Sequence, residues 1–462
     1  QHPAVGNAAR GDDGCADAAR RAAAAMHRSK IRGLRVVSRT SAFSFKGTKV
    51  DIPTVAQKLN VATVLEGSVR KAGNRVRVTA QLIQVATDSH LWSETYDREL
   101  EDIFAVQDDI AQSVVKELRS ALLGEKADAS ASEVVKAEVQ AAAKGRGENA
   151  EAYRLYLQGR FFEDRLTGEG TAKSMDCYRQ ALELDPAYAL AWTGVSRCYT
   201  HQAGYSWDIA VAEGFDKARE AAQKALQLEP DLPEAHAALG MIHMLYDWDW
   251  EGADASFRRA LELSPGDAYL MRGRAMLLGN LVRHDEAIAL IRRAVALDPL
   301  SAGVYRTLAR VCFYAGIVDE GEAAAKKSLE LDPQAGVTPT WVGLACLRQG
   351  RLDEALEWFQ RETHETFRLL GRTLLEHARG RSAESDALLH EMIEKNAAGA
   401  AYQIAEAYAY RGEANLAFEW LERAYTQRDP GTGMVKGDPL MRDLSGDPRW
   451  QPFIEKMRLA PQ

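Results

Sequence analysis

Two different periods of hydrophobic and polar positions divide this chain. Between residues 62 and 97 apolar and polar side chains alternate, the period of a strand with one covered face. Leu65, Gly67 and Val69 share a face with Val76, Val78, Ala80 and Leu82, which follow an Ala-Gly-Asn turn. Glu66, Ser68, Arg70, Arg75, Arg77, Thr79 and Gln81 fall on the opposite face. "LRVVSRTSAFSF" (34–45) is rich in β-formers, and "DIPTVAQKLN" (51–60) predicts a short helix with proline near its start. A third strand, "SHLWSETYDREL", leads into an amphipathic helix over 103–123. Residues 29–123 therefore predict a small α/β layer, one sheet with helices on one face.

From about residue 150 the period becomes helical, and it recurs. "ALELDP", "ALQLEP", "ALELSP", "AVALDP" and "SLELDP" each end a helix at a proline; from Pro230 the spacings are 35, 34 and 34 residues. The interval from Pro186 to Pro230 is 44 residues and holds an insertion of about ten around "GYSWDIAVAE". Between prolines lie two amphipathic helices. In the unit ending at Pro333, Tyr305, Leu308, Ala309 and Cys312 form the apolar stripe of the first. Gly316 breaks it, and Gly321, Ala325 and Ser328 give the second helix small residues where the pair must approach closely. About eight such units are expected over 150–430, after a linker at 124–149 and before a carboxy-terminal capping segment at 431–462. Residues 1–28, rich in Ala, Arg and Gly, are atypical and expected to be either a disordered or a mis-started segment, and have no signal-peptide pattern. The predicted fold class is α+β in the small amino-terminal domain and all-α solenoid beyond it.

The repeating unit resembles the tetratricopeptide repeat (TPR). Trp192 and Tyr199, Leu239 with Gly240, Ala253, Phe257, Ala260, and Ala355 with Phe359 stand where that repeat has its aromatic, small and Leu-Gly positions. The amino-terminal segments "VVSRTSAFSFKG", "VLEGSVRKAGNRVRVTAQLI" and "DSHLWSETYDRELEDIFAVQDDIA", with the tail "WLERAYTQRDPG", resemble a bacterial family that joins a TolB-N/FlgO-like domain to a TPR array. Members of that family usually follow an output module: a class III adenylate or guanylate cyclase, a CadC- or ToxR-like winged helix, or a kinase. The family domain opens with a strand similar to "IAVLPF", which residues 1–28 do not match; a missing first strand and an open sheet edge, able to pair with a second copy as a homodimer, are the expectation.

The resemblance also implies a concave groove lined by the first helix of each pair. Carried over position by position, it places Arg272, Arg306, Arg310 and Tyr314 in adjacent units, with Arg197 and Tyr402 further out. Arginines on one wall would suit a partner's carboxylate, which a guanidinium pairs bidentately. The competing reading pairs these arginines with neighbouring Glu and Asp.

Charge sharpens this picture. The formal net charge is −8, but residues 29–123 carry 14 basic and 11 acidic side chains, whereas 124–462 carry 40 basic and 52 acidic. An acidic bulk argues against general binding to nucleic acid or anionic membranes. The arginines of "RKAGNRVRV" (70–78) have no interleaved aromatic to stack on bases, and Glu66 stands across the hairpin. Cys15, Cys177, Cys198, Cys312 and Cys346 are scattered without a CxxC pair and read as buried thiols. "HEMIE" (390–394) lacks a second zinc-binding histidine, "GEG" (168–170) is not a phosphate loop, and His236 with His243 read as structural. "YDWDW" (246–250) reads as a packed inter-helix turn. No cofactor or metal is called for, and no stretch of about 18 apolar residues is present to cross a bilayer.

The expectation is a non-enzymatic scaffold or regulatory module of bacterial signalling, on the cytoplasmic or periplasmic side of the inner membrane, holding a protein or peptide segment in the groove. The alternative is a fragment of a cyclase or of a CadC-like regulator whose output domain lies outside this chain. A cyclase needs metal-binding aspartates and a purine pocket, which 29–123 are too few to supply.

Overall fold

The computed structural model describes residues 4–9, 50–72, 75–99, 149–205 and 209–459, with a few positions between 35 and 45 and between 112 and 120. It divides into two compact units, one of residues 1–150 with 261–268 and 293–301, the other of 151–260, 269–292 and 302–462.

The first unit carries a five-stranded sheet in the order β2-β1-β3-β4-β5, with β1 Ala4–Ala9, β2 Arg35–Val36, β3 Thr63–Ala72, β4 Arg75–Gln84 and β5 Ser89–Glu99. β3, β4 and β5 are antiparallel, while β1 runs parallel to both β2 and β3. The hairpin register places Leu65 opposite Leu82 and Gly67 opposite Ala80, as the alternation requires. Helix α1 (Ile52–Leu59) starts at Asp51, whose Oδ1 accepts from the Thr54 N–H at 2.8 Å, and stops at left-handed Asn60.

Two expectations are corrected here. Residues 4–9 are not without structure: they form a strand between β2 and β3, so the expected open edge of β3 is paired and the backbone groups of both strands are satisfied. The sheet is also covered on more than one face. On the Glu66 side Ile83 is buried and Val64 packs with Val55, Ala56 and Leu59 of α1, while Leu65, Val78 and Leu82 are buried on the other side. Most of the amphipathic segment expected at 103–123, and the linker at 124–148, lie outside the described residues.

The second part of the chain contains, among the described residues, seventeen α-helices, of which the last, α18 Trp450–Lys456, stands alone and sixteen pair as eight hairpins: α2 Ala150–Glu163 with α3 Gly168–Leu184, α4 Ala189–Gly204 with α5 Val211–Leu228, α6 Pro233–Ile242 with α7 Trp250–Leu263, α8 Ala268–Asn280 with α9 His284–Leu297, α10 Ala302–Ala315 with α11 Val318–Leu331, α12 Thr338–Arg348 with α13 Leu352–Arg361, α14 Glu365–Ala378 with α15 Ser382–Asn396, and α16 Ala401–Tyr410 with α17 Ala414–Gln427. The "LDP" phrases end second helices. The Asp185 and Asp332 N–H groups close the last helical turn on Ala181 and Ser328, and their carboxylates accept from the N–H two residues on. Trp192 Nε1 then donates to the Pro186 carbonyl at 2.9 Å, tying the next first helix to the turn.

Helices meet closely where an aromatic lies between glycines of consecutive first helices. A Cβ on Gly159 or Gly194 would stand 2.5 or 2.6 Å from the Tyr178 ring, and one on Gly273 would stand 2.6 Å from Phe257. Gly316 takes φ +76° where α10 must turn back into α11. "YDWDW" is the packed turn expected: a single π turn at His243–Asp247 leads to left-handed Trp248 and buried Trp250.

The carboxy-terminal segment does more than cap the last hairpin. Two 3₁₀ turns, Pro430–Gly437 and Pro439–Gly446, begin at Asp429 and Asp438, whose carboxylates accept from the N–H groups of Gly431 and Leu440. From there the segment reaches back to early repeats: Trp250 Nε1 donates to the Met457 carbonyl at 2.9 Å, and the Tyr314 hydroxyl contacts Met434 Sδ at 3.1 Å. The Gly336 N–H donates to the Arg165 carbonyl at 3.1 Å, bringing the turn before α12 against the first hairpin.

Candidate functional site

The first helices α4, α6, α8, α10, α12, α14 and α16, with part of the returning tail, line a cavity of about 200 Å³. Its walls divide by chemistry. Phe313, Trp341, Leu344, Phe367, Leu370 and Met276 supply an apolar middle, Arg272, Arg306, Arg310 and His201 one polar wall, and Gln403 and Glu406 another.

Of the six groove residues expected, Arg272, Arg306, Arg310 and Tyr314 line this one cavity. Arg310 is held: its Nη2 donates to Asn280 Oδ1 at 2.9 Å and its guanidinium faces the Tyr314 ring. Arg306 is not. It is only 8% exposed, forms no ion pair among the described residues, and its Nη1 is buried with no hydrogen-bond partner there. Its nearest cationic neighbour is Arg272: a Cβ on Gly303 would collide with Arg272 Nη1 and stand 3.8 Å from Arg306 Nη2. Burial first, and then the charge of Arg272, hold Arg306 down at about 10 against an ordinary 12.5. Arg272 itself stacks over the Tyr269 ring at 5.0 Å and forms no ion pair among the described residues.

Two expected residues belong elsewhere. Arg197 is 4% exposed and paired with Glu163: Nε to Oε1 at 2.6 Å and Nη2 to Oε2 at 2.9 Å, with the Tyr178 hydroxyl donating to the same carboxylate at 2.6 Å. Burial pushes Glu163 up, yet Arg197 outweighs it and holds the carboxyl at about 2. Arg197 lines only a smaller neighbouring recess. Tyr402 is fully buried; its N–H donates to Asp429 Oδ2 at 3.0 Å and its hydroxyl to Asp438 Oδ2 at 2.7 Å. The expectation that these two side chains face a groove is corrected, because each fills a hydrogen-bonded slot inside the packing.

A signal separating Arg197 from Arg306 was present in the sequence. Side chains one repeat apart stack as neighbours, and 34 residues before Arg197 stands Glu163, whereas 34 before Arg306 stands Arg272. The first arginine meets a carboxylate and the second meets its own kind.

Sequence reasoning missed three participants. Burial, opposed by Glu163 and reinforced by Arg272, Arg197 and Arg306, lowers His201 to about 4, so the ring is neutral; its Nδ1 is buried without a hydrogen-bond partner among the described residues. Glu406, 7% exposed, is pushed well above the usual carboxylate range by burial and by the neighbouring Asp438. The tail supplies Asp429, which burial raises to about 6. These contacts join positions far apart along the chain.

Other motifs resolve as structural. Arg77 forms a bidentate pair with Asp97 at 2.8 and 2.9 Å, and Gln81 donates to Glu66 at 2.8 Å, so the basic hairpin face is crossed by acidic partners. His236 Nε2 lies 3.0 Å from the Pro230 carbonyl and His243 Nδ1 3.0 Å from Asp247. Among the described residues no cluster of His, Cys, Asp and Glu is placed to hold a metal, and no helix is long and apolar enough to cross a membrane. Cys177, Cys198, Cys312 and Cys346 are buried free thiols; Cys15 lies outside the described residues.

The chain matches the tetratricopeptide repeat family model over residues 245–302, 272–336 and 307–366. Among curated proteins it is 36% identical over 214 residues to one named "Putative adenylate cyclase 3" from Rhizobium meliloti (strain 1021), a match covering 46% of this chain and 34% of that protein. The chain thus spans about a third of the length of that relative. Among solved structures it is similar to Pseudomonas aeruginosa pilF (17% identity, TM-score 0.34, covering 44% of this chain and 93% of that one). It is also similar to a tetratricopeptide repeat protein of Parabacteroides merdae ATCC 43184 (17% identity, TM-score 0.37, covering 53% and 98%).

Proposed function

We propose that this chain is a non-catalytic recognition and regulatory part of a bacterial signalling protein, whose TPR array holds an acidic partner segment and relays that event to an output module. Repeats of this kind are protein-interaction scaffolds, and the observation that carries the finer reading is the pair Arg272 and Arg306, two cations on the inner wall with no carboxylate paired to either among the described residues. A carboxylate from a partner supplies what the wall lacks: it accepts from the guanidinium fork and offsets the mutual repulsion of the two cations.

The relative named as an adenylate cyclase supports placing the output module in a cyclase-type system, with this chain as its regulatory portion. Two measurements test the reading. Capture of a glutamate-rich peptide on resin should fall at least tenfold in the Arg306→Glu/Arg310→Glu double variant while the helical signal is retained; unchanged capture removes the groove. Purified chain incubated with ATP and Mg²⁺ or Mn²⁺ should form no cyclic AMP; product formation overturns the non-catalytic assignment.

A further inference from the structure

We propose that the cavity around Arg306 is a binding site for a small amphipathic oxyanion, a carboxylate or phosphate group carried on an apolar body. The inference deepens the recognition reading for the same wall, and rests on it, by naming what size and chemistry of group the wall takes. Three observations carry it. First, Arg306 is more than nine-tenths buried, lines the cavity, and leaves Nη1 without a hydrogen-bond partner among the described residues. A buried cation in that state is costly unless an anion completes it. Second, Arg272 crosses Gly303 to reach the same spot, and Gly303 opens α10, so the positive end of that helix adds to both guanidiniums. His201, neutral and with Nδ1 buried and unpartnered among the described residues, offers a third polar contact on this wall.

Third, the space is that of a small molecule. The cavity measures about 200 Å³ and is enclosed partly by the chain's own tail through Pro430, Gly431 and Met434. Aromatic and aliphatic side chains, Phe313, Trp341, Leu344 and Phe367, form the middle, so the ligand body is apolar. Glu406, 7% exposed, also lines the cavity and provides for a second polar group on the ligand.

Calorimetric titration of the whole chain with benzoate, phenyl phosphate, benzyl alcohol and a glutamate-rich octapeptide tests this. The expected result is one-to-one binding of benzoate or phenyl phosphate, with the arm that binds more tightly identifying the headgroup. Benzyl alcohol should bind at least tenfold more weakly than the preferred anion. Arg306→Gln, and independently Arg272→Gln should the first fail to fold, should reduce anion affinity at least tenfold, while Arg292→Gln at an exposed pair with Glu320 leaves it unchanged. Binding of neither anion, equal binding of benzyl alcohol, or full affinity in the folded arginine variants overturns the proposal. If the octapeptide alone binds, the small-anion site is refuted and the partner-binding reading stands; if neither peptide nor anion binds, both fall.

Discussion

Replacing Arg306 by methionine should make this protein more stable, an outcome opposite to that of most buried substitutions. Arg306 is 8% exposed and lies in α10 beside Arg272 with Nη1 unsatisfied among the described residues. Its guanidinium sits at about 10 against 12.5 when free. At about 1.4 kcal/mol for each tenfold change in proton affinity, this places roughly 3 kcal/mol of unfavourable burial and repulsion on the folded state. Methionine keeps a flexible stem of similar length and a similar helix propensity, so packing along α10 is largely retained. Allowing for the lost outer atoms, a gain of about 1–3 kcal/mol is expected, read as a higher urea midpoint with unchanged slope. The sign with pH follows from the lowered value of a base: the folded form is penalised at all pH below about 10 and relieved only above it. The gain should therefore be flat from pH 5 to 9. A loss of stability beyond about 1 kcal/mol, or a gain that varies across that range, would falsify the assignment of Arg306 as an uncompensated cation.

Glu163→Ala should behave in the opposite way, since it strands Arg197 in the core: about 3–5 kcal/mol of destabilisation is expected by denaturation. Because Glu163 is depressed to about 2 from 4.5, its contribution is present above pH 4.5 and is lost as pH falls through 2; the variant's acid transition should be correspondingly shallower in that window. Gly194→Ala drives a methyl into the Tyr178 ring and should cost about 1–3 kcal/mol, measured by thermal melting; a neutral result would show that the ring can swing aside. Arg77→Ala removes an exposed pair with Asp97 and should leave both the melting curve and retention on immobilised DNA unchanged; loss of DNA retention would restore the basic hairpin as a binding element.

The helical hairpins were legible because each carries local instructions. The prolines of the recurring phrases, 34 or 35 residues apart from Pro230 on, follow the ends of second helices, and Gly316 turns the chain at φ +76° by its own lack of a side chain. The hairpin of β3 and β4 was legible for the same reason, its alternation setting Leu65 opposite Leu82. The strand at Ala4–Ala9 was not, since its mostly small residues carry little strand preference and its partners β2 and β3 select the extended form. Tyr402 looked like a groove residue because its repeat position says which way a first helix points there. It does not say that Asp429 and Asp438 of the tail will cover that position.

By itself the sequence determined the period, the two-helix unit and the placement of arginines on first helices. Those are short-range properties: helix period, turn chemistry, and the stacking of neighbours 34 residues apart. Only the tertiary structure decided that distant segments meet, with Trp250 hydrogen-bonded to Met457 and Gly336 to Arg165, and that first helices and the tail line one cavity. Those contacts join residues about 170 to 210 positions apart and are written in no single repeat, which is why the cavity, and with it the burial that distinguishes Arg306, emerges only in three dimensions.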